Sequence, residues 1–395
     1  MAGQRSVAWP LSGVAIALVA YATLYPLSGW HWPDPQVFSW VLPKLGHEAA
    51  TDLAGNILGY VPLGFILCLA HLRVARGALL AGLLTVLGCS ALSYALELIQ
   101  FAVPSRIPSM SDWVLNTLGS AWGVLAALTL QALGVVDAWA RLVQRWFRSS
   151  SSWGPALLWV WPLGLLYPPP VPLGQGQVWP PLRLLWLEWT QDVSWQGWLL
   201  PDDPILIWSQ THAAWLGTPW RTVFESAVVG LGQWAPLCVV CALVAQRSWR
   251  LGLMAALVVA GMGVSTLSSA LNYGPPQALT WLTLPSCLGL LLGALGGVVL
   301  LRCSRRLSAA LGLVALGALV VLIHLAPTDP YQAANLAQWT QGRFIRFHGL
   351  ARWVGLLWPY LAMVWLLAHL WRRRAELGAP TQVPTSGPDG GTGLE

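Results

Sequence analysis

The sequence predicts an all-α, polytopic transmembrane bundle of about ten helices. Hydrophobic residues make up 56% of the 395-residue chain and charged residues only 9%, against about a quarter charged in an ordinary soluble domain. Apolar stretches of 18 or more residues recur along the whole length, each long enough to cross about 30 Å of hydrocarbon. The net charge is +6, but the basic residues sit in short clusters between apolar runs. That pattern belongs to membrane topology, and it excludes a nucleic-acid partner while naming membrane lipid as one.

Spans are expected at 7–27, 52–70, 77–103, 112–136, 155–169, 223–245, 251–273, 277–301, 308–326 and 349–370. The first has signal-peptide features: Arg5, an apolar run from Val7, and Ala20-Tyr21-Ala22. Its run continues to Leu27, however, and its end, Tyr25-Pro26, recurs as Tyr167-Pro168, so it reads as a retained helix. With the N-terminus inside, 14 of the 21 Lys and Arg residues fall on inner segments, from Arg5 through Arg141, Arg247 and Arg305 to Arg372–Arg374. This places both termini in the cytoplasm of a bacterial inner membrane.

The six cysteines lie in or beside apolar helices, and the Cys238/Cys241 pair sits mid-span without a polar turn. These read as packing residues; no disulfide, metal or cofactor is expected. Trp is enriched to 27 copies, many of them in the segment 170–222. Interface anchoring accounts for these rings, and an aromatic platform for sugar rings is the sharper alternative.

An echo at an offset of about 174 residues divides the chain. Tyr60-Val61-Pro62-Leu63 matches Trp234-Ala235-Pro236-Leu237, and the stretch Gly88 to Leu96 matches Gly263 to Leu271. The expected organisation is a four-helix unit over 1–136, a basic cytoplasmic linker over 137–154, and a second, degenerate four-helix unit over 155–301. Two additional helices over 302–374 and a disordered Pro/Gly/Thr-rich tail over 375–395 follow. The units insert with the same orientation, as parallel repeats. The second has lost its ionisable groups: Glu97 aligns with Asn272 and Asp52 with Ser226.

Chemistry is therefore expected in the first unit. Asp52 and Asn56 share one face at the start of the second span, with His47 and Glu48 just before it. Ser90, Ser93, Glu97 and Gln100 form a stripe near the end of the third. Arg106 lies in the following loop, and Asp112 and Asn116 open the fourth. All these termini meet at the outer boundary, where unpaired carboxylates are costly. The ligand-binding candidates are His47, Asp52, Asn56, Glu97, Gln100, Arg106, Asp112 and Asn116. Structural alternatives stand beside them: Asp112 as a helix cap after Ser111, Asp52 likewise through Thr51, and Asn116 as interhelical glue. Gly119 and Gly123 read as a packing seam, and Arg106 as a partner of Glu97 or Asp112. Glu97, inside its helix, has no capping role to explain it.

Glu97-Leu-Ile-Gln100, Arg106 and Asp112-x-x-x-Asn116-x-x-Gly119-x-x-x-Gly123 resemble the signature of VanZ-like membrane proteins, as do Asp52-x-x-x-Asn56 and Pro62-Leu63-Gly64. The resemblance covers about residues 10–136. It implies a four-helix membrane unit and an association with low-level resistance to the glycopeptide teicoplanin. The expected function is action at the outer membrane face on cell-envelope glycan or a lipid-linked saccharide, with Glu97 and Asp112 as the candidate acid–base groups if there is catalysis. Two other classes stay open: a transporter, and a scaffold docking other envelope-synthesis proteins through 170–222.

Overall fold

A computed structural model describes residues 8–25, 30–33, 35–44, 50–75, 77–104, 106–146, 153–190, 220–244, 246–326 and 345–378. Among them the chain forms twelve α-helices and no strand. These are α1 (Ala8–Leu24), α2 (Ala50–His71), α3 (Ala78–Gln100), α4 (Met110–Ala132), α5 (Val135–Trp146), α6 (Trp153–Gly164), α7 (Trp179–Trp189), α8 (Trp220–Leu243), α9 (Arg247–Tyr273), α10 (Leu284–Arg302), α11 (Arg305–Leu325) and α12 (Ile345–Gly378). Eight of them, α2–α4 and α8–α12, are long and apolar enough to cross a membrane, and α1 is a shorter apolar helix.

The differences from the sequence expectation have local causes. The fifth expected span is a 12-residue helix, about 18 Å at 1.5 Å per residue, because Pro168-Pro169-Pro170 cannot continue it. The expected linker contains α5, whose apolar and basic positions segregate onto opposite faces. The eighth span starts at Leu284 rather than 277, since Gly274 (φ 96°) and Pro275-Pro276 interrupt the chain, and Thr283 caps the new helix by accepting from Ser286 N. At the other end α12 runs on to Gly378, past the expected start of the tail; residues 379–395 lie outside the described residues.

Two helix pairs organise the packing. Helices α2 and α4 run parallel in close contact: a Cβ on Gly119 or Gly123 would overlap the carbonyls of Ile57 and Val61, and one on Gly64 the backbone of Ser120. Packing of this kind, backbone on backbone, needs small residues at the seam. Helices α8 and α10 form the second parallel pair. Here the ideal Cβ of Gly289 lies 2.6 Å from Ser226 O, and that of Gly293 lies 3.1 Å from the Gln233 side chain. The large apolar core belongs to this half, with α8 at its centre and Trp161 and Trp358 fully buried. Helix α1 touches α2, α3 and α12, and so joins the halves.

The helix directions gather the starts of α2, α4, α8, α10 and α12 at one end, together with the ends of α3, α9 and α11. Arginines cluster at the opposite end, where they have a structural task. Arg305 donates to the carbonyls of Ala242 and Leu243, and the buried Arg250 to those of Val244 and Cys303. Cations thereby satisfy the open carbonyls at two helix C-termini.

Candidate functional site

The site is built where α3 ends and α2 and α4 begin. Ser109 is extended (φ −138°, ψ 134°), and its Oγ accepts from Ser111 N and Asp112 N, so it is the N-cap of α4. Its own N–H donates to Glu97 Oε2 at 3.0 Å. One residue therefore joins the end of α3 to the start of α4, and Glu97, only 1% exposed, is held inside the bundle. Asp112 is not the cap. It lies in the first turn of α4, where an acid suits the helix dipole, and its Oδ1 accepts from Asn56 Nδ2 at 2.5 Å, a charge-assisted bond tying α4 to α2.

Asn116 donates through Nδ2 to Ser93 Oγ at 3.0 Å, as the interhelical-glue reading expects. Its Oδ1 is buried with no hydrogen-bond partner among the described residues. Tyr60 stands one turn after Asn56 on α2, its buried hydroxyl beside Ser93 and within electrostatic range of Glu97. A buried phenol and an amide oxygen without a partner among the described residues thus flank a buried carboxylate. Unpartnered buried groups are rare, and each calls for an explanation.

Gln100 and Arg106 have other tasks. Gln100 Nε2 donates to Thr23 O at 3.3 Å and Arg106 Nε to Tyr25 O at 2.7 Å, so both satisfy carbonyls at the end of α1. Asp52 lies on α2 one turn before Asn56, but its side chain, like His47 and Glu48 altogether, lies outside the described residues. The structure therefore brings Asn56, Glu97, Asp112 and Asn116 together and turns Gln100 and Arg106 toward α1.

Sequence reasoning missed Ser109 and Tyr60. Ser109-x-x-Asp112 carries a capping signature, which would have taken the cap from Asp112. Tyr60 follows Asn56 at the four-residue interval of a shared helix face. The segment 30–44 was also unforeseen. Met110 N donates to Pro43 O at 2.9 Å, His31 N donates to Ala102 O, and the Tyr94 hydroxyl donates to Trp40 O. Phe38 packs edge-on against Phe101. This segment lies against the end of α3 and the start of α4.

No curated protein and no solved structure gives a significant match to the chain. The match that exists is to a family model, VanZ/LLP1, over residues 12–131. It ends where α4 ends, so the four helices that build this site are the VanZ-like part of a longer membrane-helix bundle.

Proposed function

We propose that this VanZ-like membrane protein acts at the outer membrane face, where the α1–α4 unit binds a polar group of a cell-envelope glycan or lipid-linked saccharide. The observation that carries the reading is the Glu97 carboxylate, buried beside the Tyr60 hydroxyl and an Asn116 Oδ1 that has no partner among the described residues. Tyr60 supplies a donor and an acceptor, Asn116 an acceptor, and the carboxylates of Glu97 and Asp112 further acceptors, a set suited to hydroxyl and amide groups. The arginines at the opposite end support an outer location for the site and cytoplasmic termini, by the bias of basic residues toward the inner face. In the same reading α8–α10 is an altered copy of α2–α4. The common proline positions, the caps Ser109 and Thr283, and the glycine seams at a similar offset support that.

Native mass spectrometry of the full chain released from nanodiscs holding a lipid-linked disaccharide tests the proposal. The wild-type protein should retain the lipid, and Glu97→Gln should lose it. Glutamine keeps an oxygen for the Ser109 N–H, so the bundle keeps its fold while the charge goes. Equal retention by both proteins would sink the proposal.

A second reading, transport, has one observation in its favour. Beyond α6 the chain continues through 165–178 without helix, yet Val171, Leu173 and Gln175 are buried, and Gly174 and Gly176 press against α8, α11 and α12. Irregular backbone at such depth is confined to protein interiors and cavities, and interrupted helices mark the substrate paths of many transporters. Saccharide flux into proteoliposomes separates this reading from binding alone.

A further inference from the structure

A cavity of about 210 Å³ lies between the proline turn after α6 and the last turns of α9, away from the α1–α4 site. Its polar wall is Ser265, Ser268, Ser269 and Thr280; its apolar wall is Trp281, Tyr273 and the ring of prolines from Pro168 to Pro172. Among the described residues no acidic or basic side chain lines it.

The hydrogen bonds of the polar wall define what the cavity accepts. Ser268 Oγ donates to Leu166 O at 2.8 Å, Ser269 Oγ to Gln277 O at 3.1 Å, and Thr280 Oγ1 to Gln277 O at 2.8 Å. Their protons are committed to backbone carbonyls, while each hydroxyl oxygen keeps lone pairs. The prolines add carbonyls and no N–H. The wall is therefore richer in acceptors than in donors. Among the described residues an anion finds no cation to neutralise it, and a desolvated cation finds no carboxylate. A neutral molecule with several O–H donors along one edge and C–H groups on its face matches both walls.

Space for a drug-sized ligand runs to about 300–1,000 Å³, so this smaller cavity suits one ring rather than a chain.

We infer that this cavity binds a single neutral sugar ring, with its hydroxyls on Ser265, Ser268, Ser269 and Thr280 and its C–H face on Trp281 and the prolines. The site is separate from the α1–α4 cluster and does not depend on that cluster's role.

Saturation-transfer NMR on the full chain in phosphatidylcholine nanodiscs tests it, with methyl β-glucoside as the probe and glucuronate and choline as charged controls. Saturation should reach the glucoside ring protons and neither control. Ser265→Phe, which fills the cavity, should weaken the transfer by about tenfold or more. Thr280→Val, at an exposed position with little bearing on folding, should weaken it to a smaller extent. Absent transfer in the wild type, transfer indifferent to both cavity substitutions, or equal transfer to a charged control would each overturn the inference.

Discussion

Helices α2–α4 and α8–α10 follow one another in the same order and pack through the same kind of parallel glycine seam, yet they distribute polarity in opposite ways. In the first group the polar groups bond to one another across helices: Glu97 to Ser109, Asp112 to Asn56, Asn116 to Ser93. In the second, Asn272 turns back one turn to the carbonyl of Ser268. There Gln233 is 2% exposed with neither amide atom partnered among the described residues, inside a much larger apolar core. The first group derives cohesion from polar bonds and backbone contact. The second derives it from apolar burial, and it is free to carry polar groups that nothing inside requires. A site can therefore shift its chemistry in one half while the other serves as ballast.

The largest expected effect probes the seams. Gly123→Ala places a methyl group on the α2 backbone and should cost about 3 kcal/mol or more in unfolding by a graded denaturing detergent. Gly293→Ala meets the Gln233 side chain, its Cβ included, at 3.1 Å and should cost about 1 kcal/mol. Comparable losses would mean that the two seams are equally rigid. A smaller effect is expected at Glu97→Ala, which strands the buried Ser109 N–H and should cost about 1–3 kcal/mol, while Glu97→Gln costs well below that. Removing the amide that bonds back to Ser268, Asn272→Ala, should cost about 1 kcal/mol. Gln233→Met has the opposite sign. Exchanging an unpartnered amide for a thioether of similar volume should stabilise by about 1 kcal/mol, and a destabilised variant would reveal a hidden partner. The smallest difference concerns the caps. Ser109→Ala and Thr283→Ala should each cost about 0.5–2 kcal/mol, with Ser109 the costlier because it accepts from two N–H groups and Thr283 from one.

The spans were legible because the solvent is hydrocarbon. Length and apolarity decide membrane crossing almost alone, so α2–α4 and α8–α11 begin and end close to where the composition changes. Legibility failed where backbone geometry took over. Nothing in the apolarity of 155–169 distinguishes a short helix followed by a buried turn from a full span, and Leu173 adopts a positive φ of 61° that its side chain does not announce. In the site, Glu97 stood out as a carboxylate without a cap to explain it, and the structure keeps it buried. Gln100 and Arg106 each give a donor to an open carbonyl at the end of α1, and the sequence around residues 100–106 carries no mark of where α1 stops in space.

The glycine seam between α2 and α4 also determines which parts of the site can move. With the two backbones in contact over several turns, these helices form a single plank, and sliding one against the other would break the fit at Gly64, Gly119 and Gly123 together. Asn56, Tyr60, Asp112 and Asn116 all stand on that plank. Any movement that changes the surroundings of Glu97 therefore falls to α3, which carries it, rather than to the paired helices beneath.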